Sequence, residues 1–191
     1  PGTEKVFKYA LIEEATILDF PEQYDAIVTI PIKNIVVTST THIPSLEMLA
    51  VDQTLIGFPN LDYISSKKTR ERINKGLIKE LGKNEDINTE SLIELSPDVV
   101  IGFAVDGNNK TFNTLKKTGI PVLYNGDWTE TSPLGKAEWI KFFAAFYNKE
   151  ALANKLFSEI KTAYLNAKKL ALKAKNKPTV LSGAMYKDIW Y

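Results

Sequence analysis

Between Lys33 and Gly57 an apolar run, Ile35–Val37, breaks into Thr38-Ser39-Thr40-Thr41-His42-Ile43-Pro44, and an amphipathic stretch then runs up to Leu55-Ile56-Gly57. The pattern predicts a strand, a hydroxyl-rich turn, a helix and a second strand. In open α/β sheets the loop at the carboxyl end of a strand feeds a helix N-terminus, whose free backbone N–H groups and dipole favour small ligands. The chain repeats this arrangement, so its function is expected along one edge of one sheet.

Further strand candidates are Val99–Phe103, Pro121–Tyr124 and Thr179–Leu181, with helical periods between them. Helices between consecutive strands predict a mostly parallel sheet with right-handed crossovers. The expected fold class is therefore α/β, a three-layer α/β/α lobe. Ahead of it, residues 1–32 hold short β-rich pieces, Val6–Ile12, Thr16–Leu18 and Ala26–Ile30, closed by Pro31, and read as a small antiparallel appendage.

Helix starts are well marked. Asn88 stands as N-cap with Ile87 and Leu92 spaced as a hydrophobic staple, and Pro97-Asp98 ends that helix and opens the next strand. Ser132-Pro133 is a second cap with proline at the first helical position. After it Trp139, Phe142, Phe143, Phe146 and Tyr147 repeat at helical spacing, as a buried aromatic face does. From Lys149 to Lys175 there is neither Gly nor Pro, and apolar residues recur from Leu152 to Ala174, giving a helix of roughly 40 Å. Such a helix exceeds the thickness of a small domain and should extend beyond the first sheet.

Composition narrows the chemistry. There is no Cys and a single His, so disulfides, thiolate nucleophiles and multi-His metal sites are excluded. Formal charge is +1, and the lysines gather at Lys168, Lys169, Lys173, Lys175 and Lys177 without interleaved aromatics, which reads as a solvated helix end rather than a nucleic-acid surface. No apolar run reaches the length of a membrane span, no phosphate loop or dinucleotide fingerprint occurs, and the Pro1-Gly2-Thr3 start says nothing about targeting.

The loops after the strands are Ser39–His42, Pro59–Ser66, Ala104–Asn109 and Asn125–Thr131. From them Ser39, Thr41, His42, Asn60, Tyr63, Phe103, Asp106, Trp128 and Glu130 are expected to border one concave surface, an inventory of hydroxyls, amides and rings suited to a polar or planar molecule. Three roles are open to His42: ligand contact from a first helical turn, structural donor to a neighbouring loop, or catalytic base. Ser39, Thr40 and Thr41 serve equally as caps or ligand contacts, and Asp106 and Asp127 sit where turns form. No residue is assigned a catalytic or metal-binding role, and no cofactor is called for.

These residues resemble the periplasmic binding proteins of the cobalamin, haem and iron-siderophore class, the substrate-binding subunits of ATP-driven importers. The resemblance covers residues 33–191 and rests on Ile35-Val36-Val37-Thr38-Ser39 before a helix, Leu55-Ile56-Gly57-Phe58, Leu81-Gly82, Asn88 through Ile101, Gly119-Ile120-Pro121-Val122 and the long helix after Asn148. Asn88 to Ile101 is its most specific part. Thr131 to Ile140 is similar to a subgroup of Bacteroidetes-type lipoproteins.

The resemblance implies two α/β lobes joined by a rigid helix, with a metal chelate held between them and passed to a membrane permease. It divides the chain into the appendage (1–32), an N-terminal lobe (33–148), the interlobe helix (149–176) and the start of a second lobe (177–191), which stops at Tyr191 where a further lobe is expected. It also implies a periplasmic location, with lipid anchoring through a removed N-terminal segment, and it matches Glu90 to a glutamate that docks on a permease arginine. A first-turn acid favoured by the helix dipole explains Glu90 as well. The alternative function is a small α/β enzyme, chelatase-like, using His42 and a loop carboxylate.

Overall fold

The computed structural model describes residues 6–14, 16–84, 86–103, 110–186 and 188–190. The elements in chain order are β1 (Tyr9–Glu13), β2 (Ala26–Ile30), β3 (Ile35–Val37), α1 (Ile43–Met48), β4 (Leu55–Phe58), α2 (Lys67–Asn74) and β5 (Lys79–Glu80). A hairpin of β6 (Gly82–Lys83) and β7 (Asp86–Ile87) then leads to α3 (Thr89–Leu95), β8 (Val99–Phe103), α4 (Lys110–Lys117) and β9 (Val122–Asn125). The chain ends with α5 (Pro133–Glu138), α6 (Ile140–Ala145), α7 (Glu150–Leu172), β10 (Met185–Tyr186) and β11 (Ile189–Trp190).

Five strands form one sheet in the order β5-β4-β3-β8-β9, and every pairing in it is parallel. Alternation along each strand divides the core between two faces. Ile35, Val37, Val99, Ile101 and Leu123 point to one side, where Leu46 and Leu49 from the α1 segment, Phe143 of α6 and Ala153 of α7 cover them. Val36, Val100, Val122 and Tyr124 point to the other, against Leu92 of α3 and Phe112 and Leu115 of α4. Both faces are covered, which is why these strands read as continuous apolar runs. This is the α/β/α lobe expected from the sequence.

The caps hold as expected. Asn88 Oδ1 accepts from the Ser91 N–H at 2.9 Å, and Ser132 Oγ accepts from the Gly135 N–H at 3.0 Å. The Asp98 carboxylate accepts from the Lys33 and Asn34 N–H groups at 2.7 and 2.8 Å, so the Pro-Asp stop also ties β8 to the entry of β3.

Four expectations need correction. The N-terminal appendage is not antiparallel: β1 and β2 pair in parallel, and the twelve residues between them, 14–25, suffice for a crossover that a hairpin would not need. Thr16–Leu18 lies in that crossover and forms no strand, and Ile17 is 91% exposed. Thr179–Leu181 forms no strand either; no described strand lies beside it to take its backbone hydrogen bonds. The aromatic helix is broken at Trp139 into α5 and α6, although Phe143, Phe146 and Tyr147 are buried as the spacing implied. The sequence pattern also missed β5, a two-residue polar edge strand with no apolar signal.

The long helix α7 has 23 residues, about 35 Å at the usual rise. Its first turns pack on the lobe through Leu152, Ala153, Leu156 and Phe157. Beyond them residues 161–185 are all exposed, Leu170 at 74% and Leu172 at 66%.

Candidate functional site

Because β4 lies on one side of β3 and β8 on the other, the chain reverses direction across the sheet between β3 and β8. At such a switch point the two adjoining loops leave in opposite directions and open a crevice at the carboxyl edge. Its floor is closed by Thr38, buried at the end of β3, whose Oγ1 accepts from the Phe103 N–H at 3.1 Å and whose own N–H donates to the Ile101 carbonyl at 3.1 Å.

Above that floor lies a groove of about 170 Å³. Thr38, Ser39 and Thr40 line it from the β3 loop, Phe58, Pro59 and Tyr63 from the β4 loop, with Phe103 from β8 and Asn84 from the β6–β7 hairpin. Tyr63 and Phe103 are 72% and 39% exposed, so two rings stand free at the rim. Asn84 was not foreseen. Its Oδ1 is buried without a partner among the described residues.

The loops around the groove are braced from beneath. Asn60 takes the left-handed conformation, φ 56°, which asparagine tolerates, and this folds the β4 loop back. The Glu80 carboxylate accepts from three N–H groups: Asn60 and Leu61 at 3.0 Å each and Gly82 at 2.9 Å. The Asn60 N–H also donates to the Gly82 carbonyl at 2.7 Å. Glu80 thereby joins the β4 loop to the hairpin carrying Asn84. Beyond β7, Asn88 caps α3, which returns the chain toward β8, so its N-terminus lies at this same edge and presents Glu90 as an exposed first-turn residue.

The expected site residues divide. Ser39, Tyr63 and Phe103 line the groove, and Ser39 also caps the following turn, accepting from the Thr41 N–H at 3.3 Å. Thr41 is exposed and shares a 2.8 Å hydroxyl hydrogen bond with Ser39 outside the lining. Asn60 shapes the loop. Trp128, 48% exposed, stands in the turn after β9 at the same edge but not in the lining. Glu130 faces elsewhere: it borders a second groove of about 200 Å³ with Glu138, Trp139 and Phe142, because the chain has by then turned toward α5. Asp106 and its loop, 104–109, lie outside the described residues.

His42 is corrected outright. It is fully buried at 0% exposure, so it does not border the concave surface; nor does either ring nitrogen find a hydrogen-bond partner among the described residues. Its ring packs against Phe143, centroids 5.2 Å apart. Burial pushes its pKa down to about 4, against the opposing pull of the Asp127 charge. The cause of the miss is plain: an imidazole after a strand reads as a ligand contact, while the short turn at Thr40–His42 rotates it into the core.

A wider cavity of about 350 Å³ opens at the opposite, amino edge beside Pro31, Lys33 and Asp98. There the strands begin and helices end, so the dipoles are unfavourable to anions, and Asp98 is already committed to backbone N–H groups. Among the described residues no group of three or more His, Cys, Asp or Glu could hold a metal ion.

The chain is an α/β lobe with an all-parallel sheet and a ring-flanked groove at the carboxyl edge of its switch point. The comparisons agree. The periplasmic binding protein family matches residues 35–191, and the chain belongs to that family. An uncharacterized lipoprotein of Methanocaldococcus jannaschii is 29% identical over 170 residues, covering 86% of this chain and 40% of that protein. The fold is similar to that of a possible iron-binding (periplasmic solute-binding) protein from Staphylococcus epidermidis, with TM-score 0.63 and 19% identity over 84% of this chain and 59% of the other. It is also similar to the periplasmic haem-binding protein HutB of Vibrio cholerae, with TM-score 0.59 and 20% identity over 76% of this chain and 52% of the other. The chain thus spans about 40% of the length of that curated relative.

Proposed function

We propose that this chain is part of a solute-binding subunit of an ATP-driven importer, and that it captures a metal chelate such as an iron-siderophore, haem or cobalamin for delivery to a membrane permease. The observation that carries the reading is the groove at the β3–β8 switch point, where hydroxyl, amide and aromatic groups from four separate segments meet, with no charged side chain among the described residues that line it. Such a surface suits a bulky molecule held by many neutral contacts. Ser39, Tyr63, Phe103 and Asn84 are its assigned contacts; Thr41 and Trp128 flank them, and Asp106, outside the described residues, follows Phe103 in sequence. Glu90 is assigned to permease docking, since it is exposed at the same edge as the groove. The lipoprotein name of the archaeal relative supports a location outside the cytoplasmic membrane with a lipid anchor.

In this reading α7 is the connector to a second lobe and its exposed stripe from Leu165 to Leu172 packs there. A lone lobe retains part of the ligand contacts but bears the full loss of ligand translational and rotational freedom, several kcal/mol. The chelatase-like alternative needs His42 to touch substrate, and the burial of its ring favours the importer reading over it. The test compares this chain with one extended to the length of its relatives, each titrated with haem, cobalamin and a ferric siderophore. Binding by the longer chain at least a hundredfold tighter supports the reading; equal and tight binding by both contradicts the two-lobed clamp, and no binding by either contradicts the ligand class.

A further inference from the structure

The turn that carries Tyr63 to the rim of the groove is short. Two backbone bonds close it, from the Tyr63 N–H to the Asn60 carbonyl at 3.0 Å and from the Ile64 N–H to the Leu61 carbonyl at 3.1 Å. Two charged side chains outside the groove lining hold it as well, and both act on Leu61. Glu80 Oε2 accepts from the Leu61 N–H at 3.0 Å, and Arg70 Nη1 donates to the Leu61 carbonyl at 2.8 Å. One residue is thus held through both of its backbone groups by opposite charges, the carboxylate coming from β5 and the guanidinium from α2. Hydrogen bonds with one ionised partner are roughly twice as strong as neutral ones.

Arg70 is itself held in place. Ser66 caps α2, its Oγ accepting from the Thr69 N–H at 3.3 Å, and the Arg70 N–H donates to the Ser66 carbonyl at 2.9 Å. Thr69, 1% exposed, donates through Oγ1 to Glu47 Oε1 of α1 at 2.7 Å, and the Ser66 hydroxyl donates to the same oxygen. Two residues on, Arg72 Nη2 donates to the Leu55 carbonyl at 2.8 Å, where β4 begins. The helix is therefore pinned to α1 and to β4, and the guanidinium reaches Leu61 from a fixed base. Its approach to Asp62 does not account for this placement: the two are 3.8 Å apart and the carboxylate is fully exposed, an arrangement worth little.

We infer that Arg70 is a positioning residue for the ligand groove: together with Glu80 it fixes the Leu61–Tyr63 turn through Leu61, and so sets where the Tyr63 ring stands, although neither charged side chain lines the groove. Tyr63 is 72% exposed, so the backbone beneath it decides its place more than packing of the ring does. A turn ordered before the ligand arrives spares binding the cost of ordering it. The inference rests on the groove being the ligand surface, and it adds a determinant of affinity that touches no ligand.

Two readouts separate it from that reading. Without ligand, amide exchange in nitrogen-15-labelled Arg70→Met should quicken at least tenfold at Tyr63 and Ile64, while Val37 and Ile101 in the sheet keep their wild-type rates. Arg70→Lys, which keeps a donor for the Leu61 carbonyl, should restore most of the protection, and Asp62→Asn should change nothing. With ligand, the chain extended to the length of its relatives is titrated with cobalamin and with a gallium-substituted siderophore. For a probe that binds, Arg70→Met should weaken binding at least fivefold, yet no more than twofold in a Tyr63→Ala background, because its effect passes through that ring. Equal losses in both backgrounds, unchanged exchange at Tyr63 and Ile64, or exchange that quickens equally in the sheet would overturn the positioning role. Binding of neither probe would count against the groove as the ligand surface, and the exchange rates alone would then decide whether Arg70 sets the turn.

Discussion

The two ends of the carboxyl edge handle their polar groups differently. At the β4–β3–β8 end, Thr38 joins two strands, Ser39 caps its turn and Glu80 accepts three N–H groups, so the loops beside the groove are fixed. At the β9 end, Asn125 Nδ2 and Asp127 Oδ1 are buried with no partner among the described residues. The first arrangement preorganises a surface, so ligand binding need not supply the ordering free energy of the loops. The second leaves buried polar atoms without a partner among the described residues, which costs stability.

The largest expected effect probes what both ends share. Phe143 is 1% exposed and its ring backs His42, so Phe143→Ala should destabilise the lobe by about 3–5 kcal/mol, read by urea denaturation. A loss below 1 kcal/mol would mean that the β9 end is not packed as described. Next comes Gly102→Ala under the groove: a Cβ there would meet the Phe112 ring at 2.4 Å, and Phe112 is buried. Overpacking of this kind costs about 1–3 kcal/mol. Glu80→Ala should cost about 1–2 kcal/mol through its exposed, charge-assisted hydrogen bonds, and hydrogen exchange should quicken at Asn60, Leu61 and Gly82 while Asn125 and Asp127 stay protected. Faster exchange at both ends would erase the distinction between them.

The pH dependence sharpens the comparison from the other side. The unfolded chain protonates His42 near its ordinary 6.5, whereas the folded chain does so near 4. Between these values the unfolded state binds more protons, so His42 makes stability fall as pH drops from about 6.5 to about 4, with no further change from this group below that. Denaturant melts of wild type and His42→Leu across this window should diverge toward the acid end, the variant being the less pH-sensitive; parallel curves would show that His42 is solvated. The smallest effect is expected for Glu90→Lys. Its exposed first-turn position allows a dipole contribution of about 0.3–1 kcal/mol, so stability should change little and solute affinity not at all, while transport through the permease should fall. Lost affinity would count against the docking role.

The fold was largely legible because its signals were local and strong. Ile35–Val37 and Val99–Phe103 are apolar runs that only a doubly covered strand explains, and the Asn88 and Ser132 caps act within three residues of themselves. What the sequence hid depends on contacts far along the chain. Nothing in Lys79-Glu80 marks a strand, since its pairing depends on the position of β4, and nothing in Glu80 announces that its carboxylate will reach Asn60 and Leu61. Asn84 was hidden for the same reason, in a hairpin whose place at the groove is set by that bracing. The placement of Ser39, Tyr63 and Phe103 at the carboxyl edge followed from their position after strands; the inward turn of His42 and the departure of Glu130 toward α5 depend on local backbone rotation that no periodicity records.

The central claim is that the switch-point groove is the ligand surface, and amide NMR of this chain tests it even where binding is weak. Cobalamin and a gallium-substituted siderophore, both diamagnetic, would be added stepwise to the nitrogen-15-labelled protein. Shifts are expected to concentrate at Thr38–Thr40, Phe58, Tyr63, Asn84 and Phe103, with Lys33, Asp98 and Lys116 unmoved. Shifts centred on the amino-edge cavity around Lys33 and Asp98, with the groove silent, would contradict it.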